Sequence, residues 1–221
     1  MKIDYCEFPE DVLYDFENNV WAKLRNECAE LGITSVYASF AGKLIEIRFI
    51  KPEGSNVIRG QTVATIESVK YFGAVRTPLS GTITKLNDAL KTKPRLSNDS
   101  PYDHGWFVRV KPAIEEEMKQ LHDIRGFEEK IRSQIRELRV KCFKAYPDYD
   151  LWEIGVECAA VLVRLNELIE NCEIGDVIHI VSDDPTADIE IVRWSDQTSQ
   201  DLLESRQEGK LMHFLVRKVK G

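Results

Sequence analysis

The strongest chemical candidate in this sequence is a single amine. An alternating apolar run over 62–69 climbs to Lys70, and a second run over 74–81 leads away from it. Alternation with β-branched residues marks half-buried strands, and two such runs meeting at Ser68-Val69-Lys70 predict a hairpin. Lys70 then stands at the tip, in water, with no acidic partner in its own turn. On spacing alone such a lysine reads most simply as a solvated charge. The other reactive side chains have less context. Five cysteines (Cys6, Cys28, Cys142, Cys158, Cys172) are odd in number and widely spread, with no CxxC or Cys/His cluster, so neither a disulfide framework nor a zinc site is expected. His104, His122, His179 and His213 fall in separate elements without a neighbouring nucleophile or ligand and receive no catalytic role. No phosphate loop, dinucleotide fingerprint or carboxylate pair occurs, and no metal is expected.

The elements that must position Lys70 follow from pattern. At 221 residues, 43% hydrophobic and 30% charged, the chain has room for two modest cores. No apolar run approaches the roughly 18 residues of a membrane span, and the N-terminus lacks the apolar core of a signal peptide, which points to the cytoplasm. The first thirty residues show no clean period. From Gly32 the pattern is β, over 33–37, 43–50, 82–86 and 106–110, with turns at Pro52-Glu53-Gly54-Ser55, Arg59-Gly60 and Ser80-Gly81. A polar loop over 91–105 interrupts it. After Pro112 the period becomes helical, with Glu115, Glu116 and Glu117 opening the stretch and Gly126 a candidate divider. From 147 the order is β-α-β-α-β-β. Leu151 lies in its first strand, Cys158 opens the first helix, and Asp184-Pro185 supplies the cap of the second. The fold class expected is therefore α+β: a β-barrel or sandwich over 1–112, a helical connector over 113–146, and a two-layer α/β sandwich over 147–221. Residues 147–221 carry 7 Lys/Arg against 16 Asp/Glu, which argues against nucleic acid and for basic partner surfaces.

Residues 1–112 resemble the H protein of the glycine cleavage system, a relative of lipoyl domains with a barrel-sandwich hybrid fold. The carrying text is Gly32-Ile33-Thr34, Glu67-Ser68-Val69-Lys70, Pro78-Leu79-Ser80-Gly81, Leu86-Asn87-Asp88-Ala89-Leu90, Ser100-Pro101-Tyr102 and Gly105-Trp106. The resemblance implies that Lys70 receives lipoic acid in amide linkage and that Glu67 is the acidic residue of the modification motif. The family's His-Glu-Trp is replaced by Asn18-Asn19-Val20-Trp21, its Gly-Asp by Gly42-Lys43, and the small residue after the modified lysine by Tyr71. These departures fall on surfaces that glycine-cleavage partners are expected to touch.

Residues 147–221 resemble the TusA-like sulfur carriers through Gly155, Cys158, Gly175-Asp176, Asp183-Asp184-Pro185, Asp188-Ile189 and Leu215-Val216-Arg217-Lys218. That family holds a persulfide on a Cys-Pro-x-Pro cysteine at a helix N-terminus, where free N–H groups and the dipole favour a thiolate. Cys158 occupies this position, with Ala159 and Val161 in place of the prolines and Glu157, a like charge, beside it. Packing of the first helical turn is the other reading of Cys158. Together the resemblances imply a carrier rather than an enzyme, with lipoate on Lys70 and a persulfide on Cys158. Its partners would be a lipoate ligase or lipoyl synthase, sulfurtransferases, and a heterodisulfide reductase-like or dihydrolipoyl dehydrogenase-type oxidoreductase. The rivals are a glycine cleavage H protein carrying an aminomethyl group, and a scaffold with both sites unmodified.

Overall fold

Strands dominate the first part of the chain because its β-branched and aromatic residues alternate against Gly- and Pro-marked turns. The computed structural model describes residues 1–221 and divides into two units, Met1–Cys142 and Phe143–Gly221. The first unit begins with a two-stranded sheet, β1 (Lys2–Ile3) and β2 (Cys6–Glu7), and continues through β3 (Leu13–Asp15), β4 (Val20–Arg25) and β5 (Cys28–Ile33). Helix α1 (Ser35–Ala41) precedes β6 (Leu44–Phe49), β7 (Asn56–Val57), β8 (Thr62–Ser68), β9 (Phe72–Arg76) and β10 (Gly81–Leu86). Single helical turns α2 (Ala89–Thr92) and α3 (Leu96–Asp99), strand β11 (Val108–Pro112), α4 (Glu115–Met118) and α5 (Glu128–Leu138) complete it. A six-stranded sheet of order β3-β4-β5-β11-β10-β7 faces a three-stranded sheet of order β6-β8-β9. Between them lies one apolar core that includes Leu31, Ile33, Ile83 and Val110 from the larger sheet and Leu44, Ile47, Ile66 and Val75 from the smaller. That is the barrel-sandwich arrangement expected.

Three expectations change. The strand read over 33–37 ends at Ile33, and Ser35–Ala41 is helical. Thr34 causes the switch: its extended backbone and side-chain oxygen, accepting from the Tyr37 N–H at 3.3 Å, make it an N-cap. The apparent loop over 91–105 contains α2 and α3, and Asn98 reaches from it to the Leu44 N–H (2.9 Å) and the Ala38 and Gly42 carbonyls (3.0 and 2.9 Å). The third change is covalent. Cys6 and Cys142, separated by 136 residues in a chain where no disulfide framework was expected, form a disulfide. Spacing in the sequence cannot show this pair. A second apolar cluster brings it together, packing Ile3, Phe8 and Tyr14 against Ile131 and Ile135 of α5. The helical stretch from α4 to Cys142 thus folds with the first unit, and Gly126, at φ +87°, does divide it.

The second unit runs β12 (Tyr149–Glu153), α6 (Cys158–Asn171), β13 (Val177–Ser182), α7 (Ala187–Thr198), β14 (Asp201–Glu208) and β15 (Leu211–Arg217). Its sheet order is β12-β13-β15-β14, with β12 parallel to β13 and the other pairs antiparallel. Val161, Leu165 and Ile169 of α6 and Ile191 and Trp194 of α7 pack on Ile178, Ile180, Phe214 and Val216, giving the expected two layers. No helix of the chain is long and apolar enough to cross a membrane.

A cross-link spanning 136 residues removes loop entropy from the unfolded chain amounting to about 5 kcal/mol in the chain-entropy treatment. Cys6→Ser is therefore expected to lower the unfolding free energy of the oxidised protein by about 3–5 kcal/mol. Paired denaturant titrations of wild type and variant measure the loss, and equal midpoints would refute a stabilising bridge.

Candidate functional site

Lys70 lies where the sequence predicts it, at the tip of the β8–β9 hairpin. The tip is a tight turn closed by the Ser68 N–H donating to the Tyr71 carbonyl at 2.8 Å. Ser68 shapes it from below. Its hydroxyl donates to the Ala41 carbonyl at 2.6 Å, and the same oxygen accepts from the Lys70 and Tyr71 N–H groups at 3.2 and 3.1 Å. Ala41 is the last residue of α1, and Asn98 ties the residues on either side of it to the α3 turn. The turn is thereby held rigid from beneath while its outer face stays in water. Lys70 and Val69 are exposed, Val69 at 87%, and the Lys70 ammonium makes no ion pair. An amine so placed can be acylated by a carboxylic acid and can swing the attached group. Glu67 is half-buried on β8, opposite Glu46 of β6 and Phe72 of β9, and makes no ion pair with Lys70.

Tyr71 turns away from the tip and covers the strand behind it. A Cβ on Gly73 would stand 2.4 Å from the Tyr71 ring and 2.6 Å from the Tyr37 hydroxyl, so glycine is what lets the aromatic fold across β9. The Tyr37 and Tyr71 hydroxyls are 3.2 Å apart, Tyr37 donates to the Ala74 carbonyl at 3.1 Å, and Phe40 meets Tyr71 edge-on at 5.1 Å. Burial, then the bond to Tyr71, push the Tyr37 phenol well above its ordinary range, so it remains a donor. These rings border a cavity of about 460 Å³ that Asn18, Asn19 and Leu138 also line. Three of the positions where the sequence departs from the H-protein pattern, Asn18, Asn19 and Tyr71, therefore meet around one hollow beside the lysine hairpin, whereas Lys43 does not line it.

Cys158 opens α6 as expected, yet the residue is buried, only 3% exposed. Asp184 keeps its expected place ahead of α7, where its carboxylate accepts from the Thr186 N–H, and has a second role that the sequence did not show. Its carboxylate accepts from the Cys158 N–H at 2.8 Å, so it caps α6, while Thr186 is the residue that precedes α7. The same carboxylate accepts from the Thr186 N–H and hydroxyl at 2.7 and 2.6 Å. The Thr186 bonds, then that to Cys158, hold Asp184 below the usual carboxylate range. Burial first, then the charges of Asp184 and Glu190, push the Cys158 thiol up, whereas Glu157, suspected from its adjacency, carries no capping bond.

The opposite face of this sheet holds what sequence reasoning missed. His179 and His213, assigned to separate elements without partners, lie nearly parallel with ring nitrogens 2.9 Å apart, one N–H donating to the other ring. Asp150 contacts the far nitrogen of His179 at 2.8 Å. Phe143 packs 4.6 Å from the His179 ring and takes the Arg206 guanidinium on its face at 4.3 Å. The only available signal was alternation: 150, 179, 206 and 213 all occupy the non-helix face once the register is known.

A barrel sandwich presenting one rigidly mounted, unpaired lysine on a hairpin defines the lipoyl-carrier class. The glycine cleavage H-protein family profile matches residues 12–134, and the chain belongs to that family; the sulfurtransferase TusA profile matches residues 154–218, so the second unit is a TusA domain. Glycine cleavage system H protein 5 of Aquifex aeolicus is 40% identical over 146 residues, covering 64% of this chain and 98% of the relative. The probable H protein 2 of Saccharolobus solfataricus is 36% identical over 140 residues, covering 62% and 94%. The crystal structure of an H protein from Mycobacterium marinum aligns with a TM-score of 0.46 at 25% identity, over 51% of this chain and 98% of that one.

Ser68→Ala leaves two N–H groups and one carbonyl without their shared hydroxyl, which is expected to cost about 1–3 kcal/mol and to loosen the lysine turn. Amide hydrogen exchange at residues 69–71 should accelerate in the variant. Unchanged protection there would show that the turn does not depend on Ser68.

Proposed function

We propose that this chain is a lipoate-bearing carrier working in sulfur transfer, with Lys70 as the attachment point. The observation that carries the reading is the mounting of Lys70: a free amine on a rigid, exposed turn, in an H-type domain that continues into a TusA domain. The residues fit the group. The Lys70 amine is accessible to a ligase, Glu67 precedes it by three residues near the end of β8, and no neighbouring carboxylate claims its charge. When bound, lipoate supplies a dithiol–disulfide couple on a long flexible arm. The protein's own contribution is presentation: Ser68 fixes the turn, Val69 and Phe72 leave apolar surface beside the amine, and Tyr37 and Tyr71 shape the adjoining hollow. A TusA domain on the same chain would hold a sulfur-bearing partner docked on it at high effective concentration for Lys70, which favours sulfur over a one-carbon amine as the cargo. Enzymes that attach lipoate, donate sulfane sulfur and reoxidise the dithiol are the partners this reading requires.

For the second unit, the sealed Cys158 supports a docking role over persulfide carriage in the conformation described. Its thiol is buried and kept protonated by burial and the adjacent carboxylates, the reverse of what a persulfide carrier needs.

Native protein exposed to a sulfane-sulfur donor with a matching sulfurtransferase separates these roles by peptide mass spectrometry. Sulfur is expected on the Lys70 peptide, absent in Lys70→Arg and undiminished in Cys158→Ser. Sulfur uptake that survives Lys70→Arg and vanishes in Cys158→Ser would reverse the assignment. Robust glycine–bicarbonate exchange with a glycine decarboxylase partner would overturn sulfur as the cargo.

A further inference from the structure

The clamp on the N-terminus of α6 has a consequence for chemistry. Loop 183–186 leaves β13 and lies across the turn that opens the helix. Asp183 accepts from the Gly155 N–H at 2.7 Å and Asp184 from the Cys158 N–H at 2.8 Å. A helix N-terminus ordinarily activates a cysteine because its unsatisfied N–H groups and dipole stabilise negative charge. In this chain the anion at that N-terminus is already present, as the Asp184 carboxylate. A thiolate at Cys158 would share this N-terminus with the carboxylate bound to the Cys158 N–H and meet it as a like charge. Glu190, in the first turn of α7, adds a second negative charge to the thiol's surroundings.

We propose that Asp184 is the positioning residue that, within this buried site, cancels the helix's pull on the Cys158 sulfur and so keeps the thiol in its protonated, unreactive form. The inference rests on reading Cys158 as the TusA-type thiol position, and it requires no sulfur transfer to be tested. It also explains how a cysteine at a helix N-terminus can remain inert: the loop that caps the helix cancels the helix's effect. A cationic partner group that drew Asp184 away would release the thiol.

The test is the pH profile of Cys158 alkylation by iodoacetamide in the full-length chain, followed at the Cys158 peptide. Asp184→Asn keeps an oxygen able to accept from the Cys158 N–H and removes the charge. Its profile is expected to shift down by about one pH unit, making alkylation near neutrality about tenfold faster, with the same plateau at high pH. Asp184→Ser, which retains a capping oxygen, should shift in the same direction and serves if the asparagine variant folds poorly. An unshifted midpoint overturns the proposal. So does a raised plateau at an unchanged midpoint, which would mean that the substitution merely opened the loop. Failure of sulfur uptake on Lys70 would leave this result intact, so the two readings fail separately.

Discussion

The hydrogen bond from the Ser68 hydroxyl to the Ala41 carbonyl is the contact on which the lysine site depends. Through it the tip of the β8–β9 hairpin rests on the end of α1, which Thr34 starts and which Asn98 ties to the α3 turn. A carrier lysine faces two opposed demands. The amine must be free in water for a modifying enzyme, while the backbone beneath must stay in one conformation so that the hairpin is recognised. Serine meets both, since one small hydroxyl satisfies a carbonyl below and two amide groups above without reaching the surface.

The lysine hairpin was legible because its signal is local. Two alternating runs and a turn predict β8, β9 and an exposed Lys70 without any long-range information. The barrel-sandwich followed from strand spacing, and the β-α-β-α-β-β order of the second unit from periodicity. Features that depend on distant residues were not legible. Residues 33–37 read as a strand because Ile33, Val36 and Tyr37 favour β structure, whereas the Thr34 cap and the burial of Val36 in the same cluster as Trp21 select a helix from Ser35. The Cys6–Cys142 bridge joins residues 136 apart, and the His179–His213 contact crosses two strands whose register no single segment encodes.

The TusA domain shows how one fold position can keep its residue and lose its setting. Cys158 stands at the start of α6, as the sequence indicates, but Asp184 occupies the N–H group that would have served a thiolate. Adjacency in sequence pointed to Glu157 as the opposing charge, whereas the fold brings Asp184 and Glu190 to the thiol instead. The proposed function accordingly rests on Lys70, and the hollow lined by Asn18, Asn19 and Tyr71 lies beside the hairpin that bears it.

The central claim, that Lys70 carries a covalent lipoyl group, is tested most directly by intact mass spectrometry of protein isolated from lipoate-replete cells, with the adduct located by peptide fragmentation. The account predicts a lipoyl amide on the peptide containing Lys70 and none on Lys70→Arg. An unmodified Lys70 in protein from such cells would contradict it.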